Sequence, residues 1–287
     1  MKKIFLAMIA TLLASTGYAD DHMPAPTMGA IETFACNFAD GKDMDDFMKV
    51  AAKWDDFAND AFSAPYQGFV LTSYYSADME HDLYWVGFSP NFTAQGKTAQ
   101  EWMEKGAALQ AEFDAAAPCD AHSQFGYFPI YSSGTPTPAT GVVDFSGCSV
   151  KDGVSQQAIA AADAKMNAFI AELGINVTIG RWFPMHGTDF AGDFIQASRF
   201  DSLAEKGAVY DKFIQAGGPQ TQMALYGDLM ICRDGPTSLY NAAGGSTGGW
   251  TARRTDFARA KPVALGQFSL GKLPRRENHR GGEGIAI

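Results

Sequence analysis

Arg181, Trp182 and His186 fall within one short stretch, Arg181-Trp182-Phe183-Pro184-Met185-His186, with Asp189 shortly after. An imidazole with a carboxylate to orient it is the arrangement of a general base or a ligand holder, and an arginine nearby could hold an anion. His186 and Arg181 are therefore the candidate catalytic pair. The stretch reads as the connection between two strands, where a histidine is equally natural as a solvated turn residue. His81 occupies a comparable connection, Asp78-Met79-Glu80-His81-Asp82. Its carboxylates could attract a divalent cation or simply keep a turn in water; with no calcium-loop spacing present, no metal site is expected. His122 is expected at the edge of a strand.

Trp182, Trp85, Tyr84 and Tyr74 are the candidate ligand contacts, because aromatic-lined concavities take planar apolar molecules. Trp54 and Trp102 instead fit the apolar spacing of helices and read as core. No Gly-x-Ser-x-Gly, phosphate-binding loop or dinucleotide fingerprint stands in a suitable context, and no cofactor is expected.

The elements that must position these residues come twice. Phe34-Ala35-Cys36-Asn37-Phe38-Ala39-Asp40-Gly41 and Phe145-Ser146-Gly147-Cys148-Ser149-Val150-Lys151-Asp152-Gly153 share Cys-x-x-x-Asp-Gly. Each precedes a stretch with helical core spacing, Phe47, Val50, Trp54 and Phe57 in one, Ile159, Ala162, Met166 and Phe169 in the other. Paired strand-like runs follow, Phe69 to Tyr75 with Leu83 to Phe88, and Val177 to Phe183 with Phe194 to Phe200. A second helix then carries Glu-Lys-Gly-Ala in both, at Glu104 to Ala107 and Glu205 to Ala208. The first copy holds extra residues around Pro90 to Thr98. Each copy closes on a strand, so the order is that of a ferredoxin-like βαββαβ unit. In the third strand Tyr84, Val86 and Phe88 face one way and Trp85 and Gly87 the other, so both faces are apolar and both need burial.

In this order of elements, from about Glu32 to Asp234, the chain resembles the dimeric α/β-barrel superfamily. That superfamily includes antibiotic-biosynthesis-type monooxygenases, small isomerases, stress proteins and haem enzymes related to chlorite dismutase. The resemblance implies an α+β fold of two tandem ferredoxin-like βαββαβ units packing sheet to sheet, with an irregular C-terminal tail. It carries no catalytic residue across. No histidine lies in the helical, apolar setting that a haem ligand would favour.

The expected layout is a signal peptide at 1–19, ferredoxin-like repeats at 30–131 and 142–234, a Gly/Pro linker at 132–141 and a basic tail at 244–287. Lys2 and Lys3, an apolar run from Ile4 to Ala14 and Gly17-Tyr18-Ala19 form an export signal, with cleavage expected near Ala19 and a periplasmic or secreted destination. There cysteines pair by default, and four allow three connectivities. First and last strands of such a unit lie side by side, so Cys36 and Cys119 can meet. Cys148 and Cys232 would pair by elimination, although Cys232 lies at the far end of its strand, which leaves that pairing open.

A net charge of -10 argues against a nucleic-acid partner. No later segment is long and apolar enough to span a bilayer as a helix. Arg253, Arg254, Arg259, Lys261, Lys272, Arg275, Arg276 and Arg280 make the tail basic; it reads as a mobile end, or as an arm for an anionic envelope surface. The function expected is binding of a small, largely apolar or aromatic molecule in a cavity between the two repeats. The alternatives are a cofactor-independent monooxygenase- or isomerase-like enzyme using a histidine there, and an envelope interaction protein using its tail.

Overall fold

A computed structural model describes residues 28–77 and 80–247. The signal peptide expected at 1–19 and the basic residues from Arg253 onward lie outside the described residues. The first half of the chain forms β1 (Gly29–Cys36), α1 (Met44–Ala61), β2 (Pro65–Tyr75), β3 (Leu83–Ser89), α2 (Phe92–Lys105), α3 (Ala107–Ala116) and β4 (Cys119–Ser132). The second forms β5 (Thr140–Val150), α4 (Gln156–Leu173), β6 (Thr178–His186), β7 (Phe194–Phe200), α5 (Leu203–Gln215), α6 (Gly218–Tyr226) and β8 (Met230–Thr247).

The helices form where the sequence signals them. The Asp-Gly turns of the shared motif place Gly41 and Gly153 at φ of 72° and 81°, a region that suits glycine. Asp43 and Ser155 then cap α1 and α4, accepting from the amides of Asp46 and Ala158. Phe47, Val50 and Trp54 are buried from α1, and Ile159, Ala162 and Met166 from α4. Each second helix is split in two: Gly106 separates α2 from α3, and Gly217 at φ 75° separates α5 from α6.

All strand pairs are antiparallel, and the order β1-β3-β2-β8-β5-β7-β6-β4 closes on itself through β4 and β1. Within each half the strands run β4-β1-β3-β2 and β8-β5-β7-β6. The two sheets do not merely stack. Their edges are hydrogen-bonded, β2 to β8 and β4 to β6, so one closed barrel replaces two sheets with four open edges. Inside it lie Ile31, Leu71, Val86, Phe125, Val143, Trp182 and Tyr240, with Phe69, Tyr84, Phe88 and Phe145 against them. The helices cover the outer faces over separate cores, around Trp54 and Trp85 in the first half and around Met166 and Phe194 in the second.

β8 extends through Gly244, where the tail was expected to begin, to Thr247, and its distal part forms the seam with β2 from Tyr75↔Thr237 to Pro65↔Thr247. Gly244 and Gly245 have φ of 102° and 151°, and a β-carbon on Gly244 would stand 1.9 Å from Asp55 Oδ1. These glycines let the strand bulge past α1, where Asp55 Oδ1 accepts from the Gly245 amide at 2.8 Å. Disulfides Cys36–Cys119 and Cys148–Cys232 each tie the first strand of a half to its last. Among the described residues no helix is long and apolar enough to cross a membrane.

Candidate functional site

Strand alternation separates the residues that adjoin in sequence around Arg181. Trp182 points into the barrel, its ring 5.3 Å from Phe145 and 5.9 Å from Phe88. Arg181 points outward beneath α4, 4% exposed, and both terminal nitrogens donate to Asp163, at 2.8 and 2.7 Å. Tyr226 also donates to Asp163, at 2.8 Å, and the guanidinium lies 4.7 Å from the Phe194 ring centre. Burial and the Asp163 charge push the Tyr226 phenol well above its ordinary range. His186 ends β6, exposed, next to Gln124 of β4. Arg181 and His186 are therefore not brought together.

Of the four expected ligand contacts, Tyr84 and Trp182 belong to the barrel interior, which their own neighbours fill. Tyr74 is largely exposed at the end of β2, edge to face with Tyr75. Of these, Trp85 lines a concavity. The concavities found lie outside the barrel, on the helix-covered face of the first half, while the residues of the barrel interior pack against one another.

Two adjoining concavities occur there. One, of about 350 Å³, is lined by Phe92, Gln95, Ala99, His122, Gln124 and His186 among others. The other, of about 320 Å³, is walled by Phe34, Trp54, Tyr66, Trp85, Trp102 and Phe113 among others. They share Glu32, Ala99 and His122, so Glu32 stands between them. Both volumes fall at the lower end of the range usual for small-molecule sites, roughly 300–1,000 Å³. The segment Pro90 to Thr98 supplies Phe92, Gln95, Gly96 and Thr98 to these walls.

Glu32 is the polar centre. Its side chain is 14% exposed; it accepts from the Tyr66 hydroxyl at 2.7 Å and bonds His122 Nε2 at 3.1 Å. The β1–β4 register sets Phe34 opposite His122 and Glu32 opposite Gln124, so the imidazole reaches the carboxylate along the diagonal. Phe34 stacks on the His122 ring at 3.8 Å, and Trp85 Nε1 donates to the Tyr66 hydroxyl at 3.1 Å. Burial, reinforced by the Glu32 charge, raises the Tyr66 phenol well above its usual range, so it stays a donor. Gln95, 4% exposed, carries a buried Nε2 with no hydrogen-bond partner.

The site thus offers an oriented imidazole, a held carboxylate and aromatic walls. Glu32 went unnoticed in sequence and His122 was placed only at a strand edge, because the two lie far apart along the chain; the one signal was an acidic residue inside a first strand with no other charge. Among the described residues no group of three or more histidine, cysteine and carboxylate side chains could hold a metal ion. Nor do these residues fit a haem: His122 gives its Nε2 to Glu32, and His186 stands exposed at a strand end.

No family model and no curated protein matches the chain. Similar solved structures include an anthrone oxidase-like protein, 12% identical with TM-score 0.46, covering 76% of this chain and 94% of that one. A mutant chlorite dismutase from Candidatus Nitrospira defluvii is 10% identical, TM-score 0.45, over 75% of this chain and 91% of that one. A dye-decolorizing peroxidase from Bacteroides thetaiotaomicron is 10% identical, TM-score 0.44, over 75% and 93% respectively. The structural neighbours are chlorite dismutase-like and monooxygenase-like folds of the dimeric α/β-barrel type.

Proposed function

We propose that this is an exported protein of two tandem ferredoxin-like repeats, whose first repeat binds a small, largely aromatic molecule between the outer face of its sheet and α1, α2 and α3. The observation that carries this reading is the concavity of about 320 Å³ walled by Trp54, Trp85, Trp102, Phe34 and Phe113, with one carboxylate at its edge. Burial of a planar ligand against such walls is favourable at about 25 cal/mol per Å² removed from water. Trp85 remains a ligand contact on this reading, and His186 guards the outer mouth; Arg181 and Trp182 serve the frame. The two cystines suit an oxidising compartment, in keeping with the leader.

Calorimetric titration with 1-naphthol tests the reading. Saturable binding that Trp102→Ala weakens roughly tenfold is expected, since stacking on one aromatic wall contributes about 0.5–1.5 kcal/mol beyond its area. No saturable heat with the folded protein would remove it.

A second reading follows from the 3.1 Å contact between His122 and Glu32. A carboxylate that orients an imidazole makes it a positioned proton acceptor, and the dry aromatic wall would exclude water from a phenolic or carbonyl substrate. In this enzyme reading His122, rather than His186, takes the proton. Turnover of such a substrate should fall at least a hundredfold in His122→Ala and hardly change in His186→Ala.

A further inference from the structure

Glu32 has a counterpart. It precedes Cys36 as Asp144 precedes Cys148, each on the first strand of its half, each directed toward the helices. The two carboxylates are treated differently. Asp144 Oδ1 accepts from the Lys206 ammonium at 2.6 Å and from the Thr237 hydroxyl at 2.5 Å, while its Oδ2 accepts from Tyr210 at 2.5 Å. Lys206 is itself buried, donates to Thr237 at 2.8 Å and lies over the rings of Tyr75 and Tyr210 at 5.4 and 5.3 Å. The second half therefore carries its own ammonium in an aromatic setting on the carboxylate.

In the first half the matching lysine of Glu104-Lys105-Gly106-Ala107 turns away. Lys105 Nζ donates to the Ala61 carbonyl at 3.3 Å. Among the described residues Glu32 has only a phenol and an imidazole as hydrogen-bond partners, and the space beside it is open and walled by Trp54, Trp85 and Trp102. A shielded carboxylate without a fixed cation is costly, and indole faces attract cations. Gln95 adds a buried amide nitrogen with nothing to donate to, at the adjoining concavity that shares Glu32.

From these contrasts we propose that the first-half cavity takes a small organic ammonium, its cationic head on Glu32 and its apolar body against the three tryptophans, as Lys206 does for Asp144 in the second half. The free Gln95 Nε2 favours a ligand that also carries a hydrogen-bond acceptor, such as a hydroxyl or carbonyl oxygen. This inference rests on the aromatic-ligand reading above and narrows it to one charge class.

The test compares three probes of similar shape on the intact protein by calorimetry at pH 7: 2-phenylethylammonium, 2-phenylethanol and phenylacetate. The ammonium should bind roughly tenfold or more tightly than the alcohol, and phenylacetate weakest, the size expected of a charge-assisted contact combined with a cation over indole. In Glu32→Gln the preference for the ammonium over the alcohol should vanish while the alcohol still binds. Trp102→Leu, at a half-buried wall position, should weaken the ammonium more than the alcohol. Equal or tighter binding of the alcohol by the wild-type protein would overturn the ammonium assignment and leave the aromatic-ligand reading standing; this comparison needs no variant. Binding of none of the three would overturn both. A preference that persists in a Glu32→Gln protein with native circular dichroism would show that another group carries the selectivity.

Discussion

The Tyr66 hydroxyl occupies the space over Gly87, where a β-carbon would stand 1.8 Å away. Gly87 pairs with Glu32 across β1 and β3, so the ring crosses the bare position to reach the carboxylate. Gly68 does the same for Trp85, whose ring lies 2.5 Å from where its β-carbon would be. Two glycines on neighbouring strands thus let two aromatic rings lie flat along the sheet, close to Glu32.

Gly87→Ala should therefore act on the site before it acts on the fold. The added methyl displaces the phenol from Glu32, and overpacking of this kind costs about 1–3 kcal/mol. Urea denaturation should show a loss in that range with an unchanged m value. Affinity for 2-phenylethylammonium should change more than a surface glycine substitution away from the site such as Gly207→Ala changes it, since Gly207 has open space around its β-carbon position.

Arg181 offers the opposite case, a residue that looks functional in sequence and is bound into the frame. Removing it leaves Asp163 buried with only Tyr226 to satisfy it, and breaking such a pair from one side costs about 3–5 kcal/mol. Arg181→Ala should lower the melting temperature sharply and leave ligand affinity of the remaining folded protein unchanged. His186→Ala should not lower that temperature, stability staying within about 0.5 kcal/mol of wild type, as exposed substitutions do.

The disulfides can be tested in the same way. Cys36–Cys119 joins strands whose register also sets Glu32 beside His122. Replacing both cysteines by serine should cost about 2–4 kcal/mol, the usual range for a bond closing a long loop. Denaturation with and without reductant checks it: the variant should match the reduced wild-type protein once Cys148–Cys232 is replaced as well.

Sequence carried much of this architecture because its signals were local. The stripes Phe47, Val50, Trp54 and Ile159, Ala162, Met166 fix which face of α1 and α4 is buried, and the alternation of Tyr84, Val86 and Phe88 against Trp85 separates barrel interior from helix side. Edge pairing was not legible. The distal half of β8 runs through Ala242-Ala243-Gly244-Gly245, which has little strand character, and only contact with β2 and α1 makes it a strand. The site was hidden for a similar reason: Glu32 and His122 meet through a β1–β4 register that no local pattern encodes. Arg181 and Trp182 looked like partners because they are adjacent, although neighbours on a strand face opposite ways.

Buried phenols make the protein sensitive to alkali. Burial, only partly offset by the Arg199 charge, pushes the Tyr127 phenol up to about 12. Tyr66, Tyr210 and Tyr226 are raised too, first by burial and then by Glu32, Asp144 and Asp163. In the unfolded chain these groups lose their protons near pH 10. The folded protein then holds more protons than the unfolded one, so the stability these phenols contribute is complete below about pH 10 and is lost as the pH climbs toward 12. Thermal melts should be nearly flat from pH 8 to 9.5 and fall steeply above pH 10. Absorbance near 295 nm should show part of the tyrosine still protonated in the folded protein at pH 11, released in one step on unfolding. A melting temperature that stays level to pH 11.5 would mean that these hydroxyls are open to water, and that the Tyr66 contact with Glu32 does not hold as described.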